Sequence, residues 1–132
     1  MTIDRISNML STIKNAVKAE KESIEIVHTD YAEKIAKIIK TKGFIKEVKV
    51  FKPEGSHFKM MRIDFEYDGT LPVLEDIKIL SKPGNRVYKT ASELRSVAAG
   101  YGVQVVSTSR GVMTSEEARK KKLGGEVICE VR

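Results

Sequence analysis

Apolar residues recur at two different spacings along the chain, and this change of spacing constrains the fold more than any other feature. In residues 3–19 and 31–42 they return every three or four positions, as on one face of an amphipathic helix. Residues 23–27, 44–51 and 59–67 instead have the short, β-branched or alternating patterns of strands. The order helix, strand, helix, strand, strand predicts two helices packed on a three-stranded sheet.

The second half of the chain is dominated by strand patterns, which we assign to residues 76–80, 86–89, 103–113 (a strand, a turn and a second strand) and 126–132. A single helical turn is expected within 92–97. Thr114 and Glu117 have the spacing of a capping box, so a short helix should follow and continue through Leu123. The strands around this helix predict a small sheet with little helical cover.

Composition and charge both change near Gly69. The predicted fold class is therefore α+β, with two small packed domains: an N-terminal α/β domain at residues 1–69, and a mainly β domain with short helices at residues 70–132. The net charge is +6, with an excess of two basic residues in residues 1–70 and of four in residues 71–132. This balance favours an acidic partner, nucleic acid first and an anionic membrane second, bound by the C-terminal half.

Residue types that carry catalysis or bind metals are sparse. His28 and His57 are the two histidines, and neither has a cysteine or carboxylate at ligand spacing, so neither a metal nor a cofactor is expected. Ser107 and Ser109 lack an accompanying base, so an enzyme is not expected. Cys129 lies in an alternating strand and is expected to be a buried, reduced thiol. Without a long apolar run or a signal-peptide pattern, we expect a cytoplasmic protein with no membrane span.

Three hydroxyl residues, a cation and a glycine separate two apolar strands at Ser107, Thr108, Ser109, Arg110 and Gly111. Hydroxyls donate and accept hydrogen bonds, arginine adds a cationic fork, and glycine allows a partner to approach the backbone. The simpler interpretation is a hairpin loop rich in small polar residues. The alternative is a surface that grips the phosphates, sugars and base edges of a nucleic acid.

Basic and aromatic residues elsewhere support the nucleic-acid alternative, although each also fits a solvated charge or a packed ring. They are Lys82, Arg86 and Lys89 around a Pro-Gly turn with Tyr88 among them, the basic run at 119–122, and Lys14 with Asn15 on the first helix. An exposed tyrosine can stack on an unpaired base. RNA fits better than DNA because no helix-turn-helix or zinc-finger pattern is present to enter a major groove.

Several of these segments closely resemble the bacterial-type family of small-subunit ribosomal protein S8. They are Val105–Thr114, Glu117–Arg119 and Gly124–Val127, supported by Ile13–Ala16, Gly43–Ile45 and Lys82–Tyr88. The resemblance runs through the whole chain, and its most specific parts are the hydroxyl residues and the Gly-Gly-Glu-Val segment. It implies two small domains that bind the central domain of 16S rRNA at an irregular stem, early in assembly of the subunit.

The resemblance also implies partners and site residues. It implies contacts with neighbouring small-subunit proteins, possible repression through the messenger RNA of its own operon, and a monomer when free. The first helix is a further candidate for protein contacts. The RNA-binding positions that the resemblance implies are Ser107, Thr108, Ser109, Arg110, Gly111, Tyr88, Gly124, Gly125 and Glu126.

Glu126 requires a physical explanation, because an acid is repelled by phosphate. It can hold the hydroxyls of Ser107 to Ser109, which we favour, or accept a hydrogen bond from a base amino group. The sequence also departs from the family pattern: Arg110 replaces the usual lysine, Lys82 and Asn85 replace part of an arginine-rich turn, and Tyr101 replaces a small aliphatic residue.

Overall fold

The computed structural model describes residues 3–82, 84–94 and 102–132. Its elements in chain order are α1 (Ile3–Lys18), β1 (Ser23–Val27), α2 (Asp30–Thr41), β2 (Ile45–Phe51), β3 (Met60–Phe65), β4 (Tyr67–Asp68), β5 (Leu71–Pro72), β6 (Ile77–Ile79), β7 (Tyr88–Lys89), a 3₁₀ turn (Ala91–Glu93), β8 (Val103–Thr108), β9 (Gly111–Thr114), α3 (Ser115–Lys120) and β10 (Gly125–Val131). The helices and antiparallel sheets confirm the predicted α+β class. No helix in the described ranges is long and apolar enough to cross a membrane.

Two helices and one sheet make up the first half, as predicted. β1, β3 and β2 pair in that order, and every pairing is antiparallel. Leu10 and Ile13 of α1, Ile35 and Ile39 of α2, and Ile63 of β3 are all buried in one core. Burying each such side chain contributes roughly 1.5–3 kcal/mol to folding.

The start and end of α2 follow from local chemistry. Thr29 is the N-cap, and its hydroxyl oxygen accepts a hydrogen bond from the Ala32 amide at 3.1 Å. Gly43 follows the helix with a φ of +88°, in the left-handed region that glycine tolerates best. These two ends place Tyr31 in the first turn of α2, which matters for the site described below.

The second half is organised around β10. This strand pairs with β8 along its length, while its other edge pairs with β7 near its start and with β6 near its end. A bulge between Val127 and Cys129 interrupts the alternation, so three consecutive residues, Val127, Ile128 and Cys129, are buried. Burial raises the pKa of the Cys129 thiol to about 12, which confirms the prediction of a buried, inert cysteine.

The two faces of this sheet cover different cores. On one face Val106 and Val127 pack with Ala118 of α3 in a small cluster. On the other face Val105 and Val131 join the main core, which also contains residues of α1 and α2. The main core therefore spans both sides of the predicted boundary at residues 69/70, which falls in the β4–β5 hairpin. The division into two domains remains a prediction.

Some local predictions were wrong. Tyr67 belongs to the β4–β5 hairpin and does not extend β3.

The short helices also differ from their predicted bounds. α3 ends at Lys120 and does not reach Leu123. The helical turn expected within 92–97 is a 3₁₀ turn at Ala91–Glu93. Residues 95–97 of that prediction, and Tyr101, lie outside the described residues.

Candidate nucleic-acid interface

The hydroxyl hairpin, Ser107–Gly111, is a tight turn between β8 and β9. Thr108 pairs with Gly111 across it, and the Thr108 hydroxyl donates to the Gly111 carbonyl at 2.8 Å and accepts from the Arg110 amide at 3.2 Å. Gly111 has a φ of +116°, which side-chain-bearing residues rarely adopt. The predicted strand, turn and strand are confirmed. Thr108 and Gly111 shape the turn, while Ser109 and Arg110 are exposed at its tip.

Three of the predicted site residues lie side by side across three strands. Ser107 of β8 is directly opposite Glu126 of β10, and Glu126 is directly opposite Tyr88 of β7. Opposed residues of antiparallel strands project from the same face of a sheet, with Cβ atoms roughly 4.5–5.5 Å apart. We call Tyr88, Glu126 and Ser107 the polar row. Tyr88, at the outer end of this row, is 65% exposed.

The polar row lies on the face of the sheet that packs against α2. Its neighbours Val106 and Val127 belong to the cluster under α3, and successive side chains of a strand project from opposite faces. Ser107 is also paired with Val112, which packs against the main core on the α2 side. The first turn of α2 therefore reaches a site built otherwise from the C-terminal half.

Tyr31 of α2 is a site residue that the sequence analysis missed. Burial raises the pKa of its phenol, a hydrogen bond with the Ser107 side chain opposes this, and the negative charge of Glu126 adds to the increase. The ring is partly buried against the main core. The helical pattern of residues 31–42 could not predict this neighbour, because Tyr31 and Ser107 are 76 positions apart in the sequence.

The structure does not support the role we favoured for Glu126. Its Oε2 atom is buried and accepts no hydrogen bond from any residue in the described ranges. The Thr108 hydroxyl is used within the turn. The backbone pairing of β10 with β8 holds the hairpin instead. The other role, accepting a hydrogen bond from a base amino group, stays a prediction.

Gly124 and Gly125 have a structural requirement of their own. A Cβ on Gly125 would lie 2.1 Å from the Ser107 carbonyl oxygen, and a Cβ on Gly124 would lie 2.6 Å from the Lys89 carbonyl oxygen. Real Cβ atoms do not come this close to backbone atoms. The two glycines therefore allow β10 to lie tightly between β7 and β8, which aligns the polar row.

The turn that carries Lys82 and Arg86 is fixed next to the polar row. Ser81 is fully buried, and its hydroxyl donates to the Val127 carbonyl at 2.8 Å and accepts from the Val87 amide at 3.0 Å. Lys82 and Arg86 themselves are exposed. The structure thus brings these two cations to the same end of β10 as Tyr88 and Glu126, and Ser81 is a supporting residue that the sequence analysis missed.

Lys14 and Asn15 are not brought to this site. Lys14 forms an ion pair with Asp76 at 3.3 Å, and Asp76 pairs through its backbone with Arg132, six residues along the chain from Glu126. At the usual rise of a strand, this is roughly 20 Å from the polar row. Burial raises the pKa of Asp76, but hydrogen bonds from Lys14 and from the Ile77 amide outweigh it and lower the pKa.

One expectation about histidine was wrong. His28 does have carboxylates near it, since ligand atoms of His28, Asp30 and Glu33 lie within 4.8 Å of one another. The Glu33 carboxylate is already paired with His28 at 2.7 Å and with Lys37. These hydrogen bonds lower the pKa of Glu33, the one from Lys37 most strongly.

Comparison with known proteins identifies the family. The family model of ribosomal protein S8 matches residues 4–132, which is nearly the whole chain. The chain belongs to the ribosomal protein S8 family. Relatives named small ribosomal subunit protein uS8 include those of Mycoplasmopsis pulmonis (42% identity; 97% of this chain and 96% of the relative), Syntrophus aciditrophicus (40%; 97% and 96%) and Rhodopirellula baltica (38%; 99% and 99%).

Membership of the S8 family confirms two predictions made from the sequence. The family resemblance is confirmed over nearly the whole chain, and the chain is not an enzyme, because its relatives are ribosomal proteins. The serines of the hydroxyl hairpin are therefore not the nucleophiles of an enzyme.

Proposed function

We propose that this protein is a structural component of the cytoplasmic small (30S) ribosomal subunit that binds the central domain of 16S rRNA, at an irregular stem, and helps to assemble the subunit platform. The polar row carries the proposal. An exposed aromatic ring, an acceptor with a free oxygen and a hydroxyl lie in line beside a hydroxyl-bearing turn. Unpaired RNA bases are recognised by stacking and by hydrogen bonds to their edges.

Each member of the polar row has a distinct chemical task. Tyr88 offers a stacking face for an unpaired base, worth about 1–3 kcal/mol. Glu126 is partly exposed, and its carboxylate accepts a hydrogen bond from a base amino group. Ser107 binds a base edge or a ribose hydroxyl next to this group.

The hairpin tip and the neighbouring turn contact the RNA backbone. Ser109 and Arg110 are exposed at the tip, where a hydroxyl suits a ribose 2′-OH and a guanidinium suits a phosphate. Lys82 and Arg86 reach phosphates on the other side of Tyr88. Gly124 and Gly125 leave the strand without side chains that would block close approach.

The same surface would bind any RNA with the same irregular stem. We include here a segment of the messenger RNA of the protein's own operon, through which the protein would repress translation. Neighbouring small-subunit proteins would contact surfaces outside the polar row, and the protein would be monomeric when free.

Filter binding tests the proposal. A transcript of the bacterial 16S rRNA central domain should bind tightly, and a fully paired duplex of equal length should bind weakly, because the polar row reads unpaired bases. Log affinity should fall with log salt with a slope of about −0.7 to −0.9 for each phosphate contacted, and only a few phosphates are expected. Equal affinity for both RNAs would refute the proposal. Glu126→Gln should weaken binding to the central-domain transcript and leave binding to the duplex unchanged. Glu25→Gln on β1 is the control and should leave both affinities unchanged.

A further inference from the structure

The three-stranded sheet of the first half has a face that points away from its helices. Met61 and Ile63 of β3 are buried in the core that contains α1 and α2, so alternation turns Met60 and Arg62 to the opposite, open face. On that face Met60 lies directly opposite Val27 of β1 and Phe51 of β2. An apolar row therefore crosses all three strands at the end of the sheet where the β2–β3 connection begins and ends.

This end of the sheet also exposes large apolar side chains. Five such side chains are exposed in the described ranges, and three of them lie here: Val27 (52%), Phe58 (57%) and Val50 (38%). Val50 and Phe51 line one cleft of about 520 Å³ on β2 and β3. We call Val27, Val50, Phe51, Phe58 and Met60 the hairpin patch. Grouped exposed apolar side chains of this kind mark interaction surfaces.

The connection between β2 and β3 holds Phe58 in place. The Ser56 hydroxyl donates to the Phe58 carbonyl at 2.9 Å and accepts from the Phe58 amide at 3.3 Å. The next residue, Lys59, accepts through its carbonyl from the His28 amide at 3.0 Å, which extends the pairing of β3 with β1. The backbone around the exposed ring is therefore fixed at the edge of the apolar row, as an anchor for a partner requires.

Three lysines surround the hairpin patch. Lys49, Lys52 and Lys59 are exposed, and none of them forms an ion pair with an acid in the parts of the chain that the structure describes. Farther along the open face the charges are paired, since Arg62 contacts Asp64 at 2.9 Å. The unbalanced positive charge of this sheet is thus next to its exposed apolar side chains.

We propose that the hairpin patch is a docking surface for an acidic, apolar segment of a neighbouring small-subunit protein. Apolar side chains of that segment cover the patch, and its aspartates or glutamates pair with the three lysines. The inference deepens the proposed function, on which it rests, because it assigns a surface and a chemistry to the protein contacts of the subunit.

The composition of the patch favours protein over RNA. Val27, Val50 and Met60 are aliphatic and offer no ring on which a base can stack. Glu25, opposite Arg62 on the open face, and Glu54 in the connection would repel phosphates. A polyanion would therefore gain the three lysines at the cost of two like charges, whereas a short segment can match its acids to the lysines and its apolar groups to the patch.

Photo-crosslinking in the assembled subunit tests this proposal. Phe58 is replaced by the photo-reactive residue benzoylphenylalanine, and the variant is assembled with bacterial 16S rRNA and the other purified small-subunit proteins. After irradiation, mass spectrometry should find a crosslink to a protein segment that has apolar residues next to aspartate or glutamate. A crosslink to RNA or to a segment without acids would overturn the inference. A yield no higher than that from the same replacement at Lys34, an exposed lysine on α2, would also overturn it.

The same replacement at Tyr88 separates this inference from the proposed function. At that position the polar row should give a crosslink to RNA. If the Tyr88 position crosslinks to RNA and the Phe58 position gives no protein crosslink, the docking surface alone is rejected. A protein crosslink from the Phe58 position without an RNA crosslink from the Tyr88 position would instead support the docking surface and count against the RNA site.

A synthetic peptide of the crosslinked segment then measures the contribution of each group by fluorescence anisotropy. Phe58→Ala should lower the affinity for this peptide about tenfold, as expected for a central aromatic anchor. Lys52→Glu should lower it about fivefold at low salt and less at high salt, because the charges are exposed. Lys34→Glu is the matched control and should leave the affinity unchanged. Equal affinities of Phe58→Ala and the parent protein would overturn the inference.

Discussion

The two ends of β10 differ in the side chains that surround them. At the far end, the Lys14 ammonium pairs with Asp76, and the Arg132 carbonyl accepts from the amides of Glu75 and Asp76. Each end has one buried side-chain oxygen without a partner among the described residues, Glu126 Oε2 at the near end and Gln104 Oε1 at the far end, but the near end also exposes the ring of Tyr88. The far end therefore carries an ion pair between α1 and the β10 sheet, whereas the near end presents an exposed aromatic ring beside Glu126.

Orphaned buried acceptors are uncommon in folded proteins, because each one costs free energy. The orphan at Glu126 lies where β10 is paired on both edges, with Ser107 opposite on β8 and Tyr88 opposite on β7. Rigid placement of unsatisfied groups is what a recognition site requires, since the ordering cost is met during folding and not during binding. The following predictions test whether the near end of β10 serves RNA binding and the far end serves stability.

Substitution of Gly125 should have the largest effect. In Gly125→Ala the new Cβ would meet the Ser107 carbonyl, so β8 and β10 must separate. We expect the free energy of unfolding to fall by about 3 kcal/mol, measured by urea denaturation, with a parallel loss of RNA affinity. Gly84→Ala is the control, because nothing lies within 4 Å of its Cβ position. Equal stability of the two variants would show that the glycine does not align the strands.

Removal of the Tyr88 ring should affect binding and leave the fold intact. Tyr88→Ala is expected to weaken the complex with the central-domain transcript about tenfold or more, since stacking on one base contributes about 1–3 kcal/mol. The melting temperature should hardly change, because the ring is 65% exposed. Phe58→Ala removes a ring that is 57% exposed in the first half, and it should leave the affinity unchanged. A large drop in stability of Tyr88→Ala would assign the ring to packing.

Local patterns in the sequence predicted most of the elements. Steps of three and four residues located α1 and α2, the spacing of Thr114 and Glu117 located the start of α3, and alternation located β3 and β10. The predicted alternation failed at the bulge of β10, where Val127 and Cys129 lie in different cores. A bulge depends on how two strands fit together, and neither strand records it alone.

Only the residue types of the site could be predicted from the sequence, and not their arrangement. Residue types and the family resemblance pointed to the hydroxyl hairpin, Tyr88 and Glu126. The register that aligns them, and the contact from Tyr31, are tertiary features that no local pattern contains. For the same reason Lys14 was grouped with the site because of its charge, whereas the fold pairs it with Asp76 at the other end of β10.

Loss of the Ser109 hydroxyl should have a moderate effect. Ser109 is exposed at the tip of the hairpin, and no residue of the described chain hydrogen-bonds to its side chain. Ser109→Ala should therefore lower RNA affinity about fivefold, the effect of one hydrogen bond, without changing the melting temperature. Ser11→Ala, an exposed serine on α1, serves as the control. A large loss of melting temperature with unchanged affinity would mean that the hydroxyl supports the turn.

A substitution at the far end of β10 should have the smallest effect, and this effect should appear only at acidic pH. The pKa of Asp76 lies below its ordinary value of 3.8, so the pair with Lys14 stabilises the fold above that value. This contribution is lost as the pH falls through the lowered pKa, when the carboxyl gains a proton. Asp76→Asn should therefore flatten the pH dependence of unfolding below about pH 4, by a small amount because both side chains are partly exposed.

The RNA affinity of Asp76→Asn at neutral pH tests whether the far end of β10 also lies near the RNA. The substitution frees the Lys14 ammonium but does not touch the polar row, which lies at the opposite end of the strand. Unchanged binding is expected. If the freed lysine altered the affinity for the central-domain transcript at low salt but not at high salt, the far end would lie near RNA phosphates. The two ends of β10 would then form one continuous binding surface.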